Sequence, residues 1–351
     1  LMTSDESALK PMLDAAMAVN PVPELRLGYA RTLVTLQLYP EAKAQLVQLN
    51  AQHPEFAEGW LIHGLVLQEN NQLPEAEKRL EQYVQRVAQS KSPEHQAGLA
   101  EALMSLAQIA QKNGQLERAK QWLAQMPAGA DPIKLASRQA DLLAQQGRMD
   151  EARNVLAQVK PANAEQAQRK ILAQSYWLRE HREAQAAYTL VKTAWERQTD
   201  NSELLSELAL ICEKLKRFDE MERLLRQLMA KAPQEAHAFN ALGYSLADRN
   251  IRLDEARQLI EKAVQLSPQD AYIQDSLAWV IFRQGQHQEA LRILQAAYKS
   301  KPDAEIAAHL GEVLWTLGQT REAGTIWREG LLLKADNETL VETLKRFNFK
   351  P

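Results

Sequence analysis

The sequence predicts an all-α protein, an α-solenoid of about nine helix pairs with one flanking helix at each end. Three observations predict it. A short motif ending in Glu-Ala occurs seven times and in two variants, Glu117-Arg118-Ala119 and Glu220-Met221, so that it returns nine times in all. Its last residue falls at 42, 76, 119, 152, 184, 221, 256, 290 and 323, so the steps are 34, 43, 33, 32, 37, 35, 34 and 33 residues. Apolar residues recur at three and four between the motifs, as in Leu61 and Leu65 and then Ala76, Leu80 and Tyr83, the spacing of one helix face. The 351 residues include 13 Gly and 14 Pro, too few for a fold built of hairpins.

The elements follow in order. Residues 5–18 read as a lone helix, capped by Ser4 and ended before Pro21, the second half of a truncated unit. The first full unit carries Pro40-Glu41-Ala42. The second has the loop Glu69-Asn70-Asn71-Gln72 before Pro74-Glu75-Ala76. In the third, Lys112-Asn113-Gly114-Gln115 precedes Glu117-Arg118-Ala119, and in the fourth Gln145-Gln146-Gly147-Arg148 precedes Asp150-Glu151-Ala152. The fifth carries Arg182-Glu183-Ala184, and the sixth puts Met221 in the Ala slot of Phe218-Asp219-Glu220-Met221. The seventh, with Asp254-Glu255-Ala256, has one extra residue in the loop that starts at Asp248. Arg283-Gln284-Gly285-Gln286 and Leu317-Gly318-Gln319 divide the eighth and ninth units, before Ala290 and Ala323. Gly in such loops suits a left-handed C-terminal cap. Pro54, Pro233, Pro268 and Pro302 stop second helices, because proline cannot continue one. Asn337 to Phe347 reads as a closing helix, with Asn337 as N-cap and Lys345 and Arg346 in the last turn, where cations suit the dipole.

The expected divisions are 1–19 as a truncated repeat and cap, 20–89 as units one and two, and 90–233 as irregular units three to six. Units seven to nine take 234–335, and 336–351 is the closing cap. A small residue stands 12 or 13 positions before most Ala slots: Ala30, Gly64, Ala107, Ala140, Ala209, Gly243, Ala278 and Gly311. Small residues on facing helices let two backbones approach closely.

Several functions lose support. The net charge is −3, without the positive field that nucleic acid requires. No run of 18 apolar residues is present, so these residues are not expected to insert in a membrane. No phosphate loop, paired cysteines or nucleophile elbow occurs, and neither catalysis nor a cofactor is expected. The seven His are scattered, and His237 and His309 alone fall on first helices of late repeats; a metal needs more ligands than these. Cys212, the single cysteine, reads as a small core residue. The chain opens Leu1-Met2-Thr3, which suggests a piece of a longer protein.

The pattern resembles the tetratricopeptide repeat family, whose motif is Trp, Leu-Gly, Tyr, Ala, an aromatic, Ala and Pro. Trp60, Gly64, Ala76 and Tyr83 match it in one unit, Leu242-Gly243, Ala256, Ala263 and Pro268 in another, and Leu310-Gly311, Ala323 and Trp327 in the last. The resemblance covers roughly residues 20 to 335, with the poorest fit around 165–233. It implies a right-handed solenoid whose first helices line a groove that binds proteins or peptides. Carrying the family's groove positions onto early units gives Glu24, Leu27 and Arg31, then Glu58, Leu61, Leu65 and Gln68, then Glu101, Met104 and Gln108. The late units give Asn240, Tyr244 and Asp248 beside His237; then Tyr272, Asp275, Trp279 and Arg283 beside Phe282; then Glu312 and Trp315 beside Glu305. The late set mixes aromatics with hydrogen-bonding and charged side chains, the composition of binding hot spots. Trp279 and Trp315 have two readings, partner pockets or plugs between helices. Tyr176, Trp177 and Trp195 have the same two, with packing preferred. The Lys/Asn/Arg clamp that captures a C-terminal carboxylate is not found at its matching positions.

Residues 237–330 also resemble the C-terminal part of repeat lipoproteins of the proteobacterial outer membrane that face the periplasm. The run Asn240-Ala241-Leu242-Gly243-Tyr244 and the segments Ile273-Gln274-Asp275-Ser276 and Ala307-Ala308-His309-Leu310-Gly311 carry it. That resemblance implies an adaptor that binds a C-terminal-processing protease and brings cell-wall hydrolases to it. A cytoplasmic repeat module of a larger enzyme or regulator is the alternative. Self-association through the exposed end of the truncated first unit is compatible with either.

Overall fold

The computed structural model describes residues 22–36 and 38–350. The helix expected at 5–18 lies outside them. The described residues form nineteen helices. In order they are α1 Pro23–Thr35, α2 Tyr39–Gln52, α3 Ala57–Glu69, α4 Leu73–Val87, α5 Pro93–Lys112, α6 Leu116–Leu123, α7 Pro132–Gln145, α8 Met149–Gln158, α9 Ala164–Glu180 and α10 Ala184–Arg197. They continue as α11 Ser202–Lys214, α12 Phe218–Lys231, α13 Ala236–Asp248, α14 Leu253–Leu266, α15 Ala271–Arg283, α16 His287–Ser300, α17 Ala304–Thr316, α18 Thr320–Leu333 and α19 Glu338–Arg346. The chain divides into two units, one ending at Gln174 and the other Ser175–Pro351.

Helix ends have local causes. Second helices α2, α12, α14 and α16 each stop two residues before the proline expected to stop them. Ser92, Asp131, Asn201, Asp270, Asp303 and Asn337 cap α5, α7, α11, α15, α17 and α19 by accepting from first-turn amides, donors that would otherwise be orphaned.

The turn inside each pair from α3–α4 onward is one device repeated. A residue with positive φ ends the first helix: Asn71, Gly114, Gly147, Arg182, Lys216, Asn250, Gly285 and Gly318. The next amide then donates back to a carbonyl five residues earlier, as from Gln72 to Leu67 (2.8 Å), Arg217 to Cys212 (2.8 Å) and Gln319 to Leu314 (2.9 Å). This is the Schellman arrangement. The extra residue expected in the seventh loop is present. Asn250 and Arg252 both take positive φ there, at 57° and 47°.

This device corrects one register. Five residues past the turn lies a buried slot: Ala76, Ala119, Ala152, Met221, Ala290 and Ala323, all 0–1% exposed. From Arg182 that rule leads to Ala187, which is 0% exposed. Ala184, the slot expected from the sequence, is only half-buried at the first turn of α10. The Arg-Glu-Ala triplet is the turn itself, not the slot. With Ala187 in place, the small residue of this unit is Ser175, also 0% exposed.

In the second unit, α13 packs on α15, α15 on α17 and α17 on α19, besides each first helix on its own second helix. The first helices α13, α15 and α17 thus form one continuous wall, closed by α19. Close approach depends on the small residues. A methyl group added at Gly311 would overlap the Trp327 indole, and one at Gly243 would meet Ile260 and the Ala256 carbonyl. Trp327 is fully buried and donates from Nε1 to Ala308 O (3.2 Å). Leu340 and Leu344 of α19 cover the last pair, with Phe347 and Phe349 beyond.

Candidate binding groove

Helices α11, α13, α15 and α17 line a cavity of about 430 Å³. Ser206, Ala209, Leu210 and Glu213 come from α11, with Met221 and Leu225 of α12 beneath. His237, Asn240, Ala241 and Tyr244 come from α13, Tyr272, Asp275 and Ser276 from α15, and Glu305 from α17. Of the residues expected to bind a partner, Asn240, Tyr244, Tyr272 and Asp275 meet here.

The other five lie elsewhere. Trp279 is 2% exposed and stacks on His309 with ring centres 4.2 Å apart. It takes the packing reading, and its ring is not offered to a partner. Arg283 lies over that indole at 5.6 Å and donates to the Asp248 carbonyl at 3.3 Å. Asp248 is exposed at the end of α13. Glu312 is 5% exposed and ion-paired to Arg346. Trp315 is half-buried in an aromatic cluster with Trp327, Phe347 and Phe349. Both tryptophans fill space between helices, Trp279 against His309 of the next repeat and Trp315 against Trp327 and Phe347. In the early units, Leu27 and Leu61 are buried core residues. Trp177 is buried against His181, while Tyr176 is exposed.

A buried network supports the cavity floor. His309, 1% exposed, places Nδ1 2.9 Å from both carboxylate oxygens of Asp275. The Tyr244 hydroxyl donates to Glu305 Oε1 (3.3 Å) and lies 3.4 Å from His309 Nε2. Burial pulls the His309 pKa down, but Asp275 and the neighbouring carboxylates outweigh it and hold the imidazole above its usual value. Burial raises Glu305, with Asp275 and Asp303 adding to it. Burial, then Glu305 and Asp248, push the Tyr244 phenol well up. Glu213 is pushed up to about 7 by burial first, then by Asp248 and Glu305.

The α11 residues are not among those the sequence reading expects. Ser206 and Leu210 stand three before and one after Ala209, as Asn240 and Tyr244 stand to Gly243. That signal is present in the sequence, in the stretch 165–233 where the repeat pattern fits poorest. His237 faces the cavity 3.8 Å from Asp270, whereas His309 is committed to Asp275. Among the described residues, no group of three or more His, Cys, Asp or Glu side chains could hold a metal ion. Burial raises the Cys212 thiol to about 11, which leaves it protonated and unreactive. No helix of the described residues is long and apolar enough to cross a membrane.

Paired helices, a repeated turn and a side-chain-lined wall define a helical-repeat binding scaffold. The tetratricopeptide repeat profile matches residues 91–343, and the chain belongs to that family. Its members are generally non-catalytic scaffolds for protein–protein interaction. The TPR repeat-containing protein PA4667 of Pseudomonas aeruginosa is 35% identical over 211 residues, which are 60% of this chain and 36% of that protein. The chain therefore spans about a third of the length of that relative. The crystal structure of yeast Tom70 superposes with a TM-score of 0.52 at 14% identity, over 96% of this chain and 90% of Tom70, a likeness of fold. The thermophilic TPR protein TTC0263 of Thermus thermophilus gives 0.47 at 20% identity, over 51% of this chain and 98% of that one.

Proposed function

We propose that this chain is a non-enzymatic adaptor of the bacterial envelope that binds a partner segment in the α11–α17 groove. The observation that carries the reading is the cavity, where Asn240, Tyr244, Tyr272 and Asp275 converge from separate repeats. Tyr272 is 39% exposed, so an aromatic anchor stands at the rim, and Asn240 offers both a donor and an acceptor to a backbone. On the resemblance of residues 237–330 to outer-membrane repeat lipoproteins, the partners are a C-terminal-processing protease and its cell-wall hydrolase substrates, met in the periplasm. The relative in Pseudomonas aeruginosa supports a bacterial setting.

Affinity capture from an envelope extract tests this. The chain is the bait, beside an Asn240→Ala/Tyr272→Ala variant, both positions lying at the cavity surface. Retention of a processing protease or hydrolase by the first and its loss by the second is expected. Equal retention moves the site elsewhere on the chain. Capture of cytoplasmic proteins alone from whole lysate overturns the envelope reading. It favours a module of a larger protein, for which the unmatched length of the relative leaves room.

A further inference from the structure

The cavity wall has a charge that its own side chains do not balance. Glu213, Asp275 and Glu305 line it, and Asp248 acts on Glu213 from the end of α13. Asp275 is matched by His309, and Glu305 receives the Tyr244 hydroxyl. The Glu213 carboxyl group has no hydrogen bond or ion pair among the described residues. The two cations that act on it, Lys214 and Arg249, form no ion pair with it. Lys214 pairs with Glu338, and Arg249 donates from Nε to the Ser245 carbonyl (2.9 Å) with its guanidinium 4.2 Å from the Phe218 ring centre, its Nη2 buried without a hydrogen-bond partner. Across the cavity, the Asn240 Oδ1 is buried without a hydrogen-bond partner. An unpaired carboxylate and an unpaired acceptor in a half-closed site are both costly, and both are relieved by a donor that carries positive charge.

The form of that donor follows from the rest of the wall. The carboxylates do not converge as a metal site. Between them lies an apolar lining of Ala209, Leu210, Met221, Leu225 and Ala241. Long basic side chains suit such a surface, because their methylene stems cover apolar area while the head reaches polar groups. We propose that the cavity receives a lysine or arginine side chain of the partner, its stem on Leu210 and Ala241 and its charged head between Glu213 and Glu305. The inference rests on the groove reading above and names what the groove selects. Glu213, titrating near 7 under the influence of Asp248, Glu305, Lys214 and Arg249, makes such binding pH-sensitive. The incoming charge favours the ionised carboxylate, so affinity falls as pH drops below about 7.

Panning a phage-displayed random dodecapeptide library against the whole chain tests the proposal, beside a Glu213→Gln/Glu305→Gln variant. The expected result is enrichment of peptides sharing one fixed Lys or Arg, and loss of that preference on the variant. Replacing that residue by norleucine in a synthetic peptide should weaken binding to the unaltered chain about tenfold or more, and less so at pH 6 than at pH 8. This second measurement does not depend on the variant's folding. Peptides enriched without a fixed basic residue, or a norleucine peptide that binds equally well, overturn the inference and leave the groove reading standing. No enrichment on the chain overturns both.

Discussion

Glu213 carries its cavity charge at a cost that can be read from pH. Its folded pKa lies near 7, above the ordinary 4.5. The folded state therefore holds a proton that the unfolded state releases, and stability falls as pH rises from about 4.5 to 7 and stays lower above it. Replacing Glu213 by Gln removes that loss. Thermal melts should show the variant more stable by about 1–3 kcal/mol at pH 8 and nearly unchanged at pH 4. An equal shift at both values would mean that packing, not charge, sets the difference. The individual groove residues are only partly legible in the sequence. Asn240, Tyr244, Tyr272 and Asp275 can be found there because repeat positions carry over from unit to unit. Trp279 and Glu312 are misplaced by the same reasoning because their neighbours decide their exposure. His309 lies one repeat away from Trp279, and Arg346 lies in the closing helix.

At the scale of the element, turn and helix contact are the units of design. Lys216 holds φ at 57° where the equivalent positions at 114, 147, 285 and 318 are Gly. A side chain there costs energy that glycine does not. Lys216→Gly should raise stability by about 0.5–1 kcal/mol in denaturant melts. A destabilised variant would show that the side chain contributes more than the backbone strain removes. Gly311 is the opposite case. A methyl group there strikes the indole of Trp327, so Gly311→Ala should cost about 1–3 kcal/mol and disturb the Trp327 bond to Ala308, seen as a shift in tryptophan fluorescence. Helix existence and most turns are legible because period and glycine mark them directly. The fifth unit is not, because its turn uses Arg182, a residue with no intrinsic preference for positive φ, and a nearby Glu-Ala pair imitates the slot.

For the whole molecule, the family accounts for the fold, and the second unit's first-helix wall accounts for the proposed work. Repeats that contact only their neighbours distribute stability along the chain, so a groove can vary its side chains without altering the stack that holds them. Class and pairing are legible from sequence alone, since eight weak matches in phase reinforce one another. The cavity is not, because it needs four first helices in register at once. Hydrogen–deuterium exchange on the full chain, free and with a partner captured from envelope extract, locates the bound surface. Binding in the groove requires slowed exchange in α11, α13, α15 and α17, centred on Asn240, Tyr244 and Tyr272. Protection confined to α14, α16 and α18, or to residues 22–174, would contradict it.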